Sequence, residues 1–109
     1  MSREEPVPLG PVASPGWGEG VAFARLPVGE SGERPLIFLA DIVAGLRIYD
    51  VTDRAEPVLL SSLLPSGTVC PSGFYADNVR VLGTRAYLAG GRCGVLVIDV
   101  SDPTAPQIA

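Results

Sequence analysis

Apolar residues in this chain come in short bursts separated by glycine, proline and acidic residues, never in a stripe that returns every third and fourth position. Wherever such spacing starts, a Gly or Pro interrupts it within a few residues, so no helix is predicted. The bursts have strand length. Each half of the chain reads as four of them: strand A over Gly20 to Leu26 and Asp77 to Leu82, B over Leu36 to Ala40 and Arg85 to Ala89. Strand C follows over Leu46 to Val51 and Val95 to Val100, and D over Pro57 to Leu64 and from Pro106 onward. The second strand C, VLVIDV, is nearly continuously apolar, which predicts a strand covered on both faces by stacked sheets.

The halves are copies of one another. IFLADIVAGLRIYDVTDRAEPVLL (Ile37 to Leu60) aligns without a gap on AYLAGGRCGVLVIDVSDPTAPQIA (Ala86 to Ala109) at an offset of 49, with 7 of 24 pairs identical. Ordinary composition would give roughly one or two matches by chance. Upstream, Gly16-Trp17 leads into strand A of the first unit as Gly73-Phe74 does in the second. The first unit alone carries an insertion, PVGESGERP from Pro27 to Pro35, which reads as a surface loop opposite the tight turn at Gly83-Thr84. Residues 1–14 read as a Pro-rich leader or linker, 15–64 as the first unit and 65–109 as the second, which stops within its last strand.

After strand C each unit has the same punctuation, VTDRAEP and VSDPTAP. Asp53 and Asp102 are placed to accept backbone amides two residues on, as Asx-turns do, while the prolines end the pairing. These two residues are therefore read as turn formers. Together with the FLAD and YLAG strands before them, the segments GLRIYDVTDRAEP and GVLVIDVSDPTAP resemble the LVIVD repeat, a bacterial repeat family similar to β-propeller blades. The first unit departs from that pattern at Tyr49 and at Arg54, which stands where the repeat usually has proline. The resemblance implies an all-β fold of two four-stranded antiparallel propeller-type blades. It also implies exported or surface-displayed proteins, without one activity common to the family.

A propeller takes four to eight blades, so two would be an incomplete one. A repeat unit must bury its faces on neighbours. The expected partners are therefore other blades of a longer propeller, of which this chain would be a fragment, or other copies of the chain. Composition narrows the chemistry. With no histidine and no lysine, the chain supplies no Ser-His-Asp or Cys-His couple, histidine zinc site, Walker lysine or Schiff-base nucleophile. Eight arginines against 12 carboxylates give a net charge of −4, which does not suit nucleic acid. The longest apolar run, Leu36 to Leu46, is too short to span a bilayer, and acidic residues and prolines occupy the place of a signal peptide's apolar stretch.

In a meander the loop before strand A and the turn between B and C lie at one end of a blade. That end collects Trp17, Glu19, Asp41, Tyr75, Asp77, Asn78 and Arg92. Glu19 and Asp77 each fall two residues before the first valine of strand A, so a ring of such carboxylates could hold a hard cation such as calcium, or recognise a polar ligand beside the aromatics. The alternative is that they cap turns and keep an entrance solvated. Cys70 and Cys93 fall in the same loops and are candidates for a disulfide, which would fit an extracytoplasmic setting. No catalytic residue is assigned and no bound cofactor is required. The expected function is non-catalytic interaction with a protein or ligand. The alternatives are a self-assembling propeller protein and part of a carboxylate or metal-site enzyme.

Overall fold

The computed structural model describes residues 20–30, 32–65 and 75–109, the side chain of Arg92 excepted. Eight strands follow in order: β1 (Gly20–Pro27), β2 (Glu33–Ala40), β3 (Leu46–Asp50), β4 (Val58–Leu63), β5 (Asn78–Leu82), β6 (Arg85–Ala89), β7 (Val95–Asp99) and β8 (Gln107–Ile108). They form two four-stranded antiparallel sheets, β1-β2-β3-β4 and β5-β6-β7-β8, each paired in chain order. The all-β expectation holds. The sheets are open and do not close into a propeller. Among the described residues the only helical piece is a 3-10 turn at Gly91–Cys93.

The insertion is not all loop. β1 runs on to Pro27 and β2 starts at Glu33, with Pro27 paired to Glu33, so the expected nine-residue loop shrinks to residues 28–32. The Val28 amide donates to Gly32 O at 3.2 Å and closes it. Composition misled here because two strands already in register extend by pairing with each other, even through prolines.

The β2–β3 and β6–β7 turns show how the repeat preserves geometry. Asp41 N–H donates to Gly45 O at 2.8 Å, and Gly90 N–H donates to Gly94 O at 2.7 Å. Gly45 and Gly94, one of the identical pairs, have φ of 78° and 72°, a region L side chains avoid. Gly45 is further confined, because a Cβ there would run into the Leu63 carbonyl of β4.

Pairing defines which residues share a face. In the first sheet Ala22, Phe38, Ile48 and Ser61 pair across the four strands, as do Gly20, Ala40, Leu46 and Leu63. This face turns toward the second sheet. Phe38, Ala40, Leu46 and Ile48 have no exposed surface and share one apolar cluster with Val79, Ala86, Leu88 and Ile98 of the second sheet. β4 carries a bulge at Leu60, which shifts the register between Ile48 and Tyr49. Ser61 Oγ donates to Pro103 O at 2.6 Å, and an isolated bridge joins Ile42 to Ala76, so the sheets are also tied by polar bonds.

The expectation that stacked sheets cover both faces of the second strand C is not met for β7. Leu46, Ile48, Tyr49 and Asp50 are all buried, whereas Val95 and Asp99 of β7 are exposed. Among the described residues each sheet is packed by the other through one face only, and the burial of Tyr49 on the outer face of β3 goes with its contact to Arg47.

Candidate functional site

The loop end of the sheets brings together those expected residues that lie within the described part of the chain. Asp41 follows β2, while Tyr75, Asp77 and Asn78 lead into or open β5. The two segments are clamped by reciprocal bonds, Ile42 N–H to Ala76 O at 3.0 Å and Ala76 N–H to Ile42 O at 2.9 Å. Trp17 and Glu19 lie outside the described residues, and so does the Arg92 side chain, although its backbone lies in the 3-10 turn at this end.

These residues sit in different environments. Asp41 is fully buried, with Oδ2 4.0 Å from Arg47 Nε. That guanidinium supplies the counter-charge a buried carboxylate needs. Arg47 Nε also donates to Tyr49 Oη at 2.8 Å, and the group lies 5.7 Å from the Tyr49 ring centroid. Asp77 is exposed, and its amide donates to Ala89 O at 2.9 Å. Asn78 Oδ1 accepts the Val79 amide at 2.9 Å. A Cβ on Gly20 would come within 2.8 Å of the same oxygen, so only glycine fits where β1 meets β5. Tyr75 is largely exposed beside Gly91. Among the described residues no three metal-ligating side chains come together.

Cys93 is disulfide-bonded. Cys70, the other cysteine of the chain, lies outside the described residues.

At the opposite end, Asp53 Oδ1 accepts the Ala55 amide at 3.0 Å and Asp102 Oδ1 accepts that of Thr104 at 3.1 Å. The aspartate three residues earlier does the same. Asp50 Oδ1 takes the amide and hydroxyl of Thr52 at 2.8 and 2.6 Å, and Asp99 Oδ1 those of Ser101 at 2.9 and 2.7 Å. This first Asx-turn was legible in the identical Asp-Val pairs but was not read from them. Burial pushes the Asp50 carboxyl up, yet the Thr52 bonds and the Arg34 guanidinium outweigh it and hold the group below the ordinary carboxylate range. For Asp99 the two Ser101 bonds act first and in the same downward direction.

Sequence reasoning missed the outer face of the first sheet. Val21, Leu39 and Arg47 pair across it, as do Phe23, Ile37 and Tyr49. Val21 and Phe23 are each 63% exposed. At its rim a groove of about 410 Å³ is lined by Phe23, Arg25, Pro35, Ile37, Thr52 and Arg54, among others. The signal was present in the departures at Tyr49 and Arg54, which put polar groups where the second unit has Ile98 and Pro103.

A four-stranded meander, a buried interface between two such meanders and the paired Asx-turns after strand C together describe a blade-type repeat. Residues 73–109 match the LVIVD repeat. That LVIVD repeat spans β5 to β8, and the sheet β1 to β4, with the same strand order and the 49-residue offset, is consistent with a second repeat before it. No curated protein and no solved structure matches the chain.

Proposed function

We propose that this chain is a non-catalytic LVIVD-repeat segment of a larger blade assembly, which binds a protein or ligand through its loop end once its outer faces are covered. One observation carries this reading. The interface between the two sheets is made of two unlike halves, and each half recurs at the matching positions on the outer face of the other sheet, where most of its residues are only partly buried. The inner half of the first sheet, Phe38, Leu46 and Ile48, matches Tyr87, Val95 and Val97 on the outer face of the second. The inner half of the second sheet, Ala86, Leu88 and Ile98, matches Ile37, Leu39 and Tyr49 on the outer face of the first. Uncovered repeat faces are completed by further repeats. The disulfide at Cys93 supports an extracytoplasmic setting for such an assembly.

The test is a polypeptide carrying two full copies of the chain in tandem. Docking of the second blade of the upstream copy on the first blade of the downstream copy should raise Tm by at least about 5 °C over the single chain, as about 1 kcal/mol does for a domain of this size. Phe23→Asp in the downstream copy should remove the gain. A tandem protein that melts with the single chain overturns the reading.

A further inference from the structure

We infer that separate copies of this chain associate head to tail, the β7 face of one copy seating on the β1–β2 face of the next, with Asp99 of the first meeting Arg25 and Arg54 of the second. The inference deepens the blade-packing reading by naming the occupant of the open faces as a second copy.

Continuity with the interface already formed is the first argument. Val97 and Tyr87 occupy the repeat positions of Ile48 and Phe38, which are completely buried against the second sheet. Phe23, Ile37 and Leu39 occupy those of Val81, Ala86 and Leu88, which lie in or pack on the buried cluster. One copy therefore holds both halves of an interface that it also makes internally. A contact of this kind is heterologous and propagates from copy to copy.

Charge supplies the second argument, and it distinguishes the outer faces from the inner ones. At the internal interface the strand-C aspartate, Asp50, is neutralised within its own sheet by Arg34 at 3.3 Å. Its counterpart Asp99 is exposed and makes no ion pair within 4.0 Å among the described residues, although Arg85 stands opposite it on β6 and its charge helps hold the carboxyl down; the hairpin that carries Arg34 is replaced here by the tight turn at Gly83. Arg25 and Arg54 likewise have no carboxylate partner among the described residues. The geometry of the formed interface puts these groups at the same end. Ser61, paired with Ile48 two residues before Asp50 on the same face of β3, bonds to Pro103, and Pro103 is the repeat position of Arg54. Copying that interface brings Arg54 to the Asp99 end of the neighbour. The second unit has Gly83 and Pro103 in place of Arg25 and Arg54, so the two arginines are particular to the first unit, where both line the groove at the rim of its outer face.

The experiment is native mass spectrometry with sedimentation velocity on the full chain from about 1 to 500 μM, a range that covers weak association. The wild type should pass from the 11.3 kDa monomer to dimers and larger species as concentration rises. Phe23→Asp blocks one face and Val97→Asp the other, and circular dichroism checks that both variants fold. Each alone should stay monomeric, and an equimolar mixture should form a dimer and nothing larger. Asp99→Arg should weaken wild-type assembly at least about tenfold, and Arg54→Asp combined with it should recover part of that loss. A wild type that is monomeric throughout, or a mixture that fails to pair, overturns the inference. If the tandem protein is nevertheless stabilised, the blade-packing reading stands and only the second copy as occupant is lost.

Discussion

The two sheets are built from one repeated pattern and yet bury it differently. Leu46 is wholly buried and its counterpart Val95 is 62% exposed, although both open a strand C of the same length and register. The contrast reverses on the other face, where Leu88 is wholly buried and its counterpart Leu39 only partly so. Burial in a repeat is therefore set by which neighbour is present and not by the residue's own pattern, as expected when each unit contacts only its neighbours. An apolar residue at a repeat position is buried where a neighbouring sheet lies on it and left partly open where none does among the described residues.

Removing the aromatic ring at the matching position of each unit should give unequal losses of stability. Phe38→Ala should cost about 3–5 kcal/mol, the range for a buried Phe whose cavity cannot collapse. Tyr87→Ala, on the outer face, should cost less by about 1 kcal/mol or more, because its side chain is only partly buried. Urea denaturation of the two variants measures both values. Equal costs would mean that the face of β7 is covered even in the isolated chain.

The glycine pair gives a smaller contrast. Alanine at Gly94 meets only the backbone cost of a positive φ, of order 1–3 kcal/mol, since no atom crowds a Cβ there. At Gly45 the same substitution adds an overlap with Leu63 O, so its cost should exceed that of Gly94→Ala by at least about 1 kcal/mol. The difference in denaturation midpoint between the two variants checks it. A larger cost at Gly94 would show that β4 gives way more easily than its pairing with β3 implies.

How far the sequence led can be judged from particular residues. Arg85–Ala89 was placed to the residue, because a tight turn at Gly83-Thr84 and a glycine at Gly90 bracket it. The ends at Pro27 and Glu33 were misplaced, because the pairing that extends them is a property of two strands together. Asp41 reads as a loop carboxylate from its neighbours Ala40 and Ile42 alone, yet it is buried, since the partner that makes burial tolerable is Arg47, six residues on and across a turn. Asx-turns are legible for the opposite reason: Asp53 and Asp102 bond to amides only two residues away. Local chemistry was readable, and chemistry between elements was not.

The smallest expected effect concerns the strand-C aspartates, and it tests whether their difference in partnership extends to the folding equilibrium. Both carboxyls are more acidic in the folded chain than in the unfolded one. A group of this kind contributes stability that is complete above its unfolded pKa, near 4, and is lost as the pH falls through its lower folded value. The protein should therefore lose stability in steps as the pH drops from about 4 toward 2. Asp50→Asn should flatten that acid limb, because it removes a carboxylate held by Thr52 and by Arg34 in a part-buried place. Asp99→Asn should flatten it less, since its Ser101 bonds are exposed to solvent. Urea midpoints of the three proteins between about pH 7 and pH 2.5 decide the matter. A limb flattened more by Asp99→Asn would place the stronger partner at Asp99, which is what assembly through Arg25 and Arg54 would produce at high protein concentration. Repeating the titration at about 1 μM, where weak association dissociates, then separates that intermolecular contribution from the turn's own.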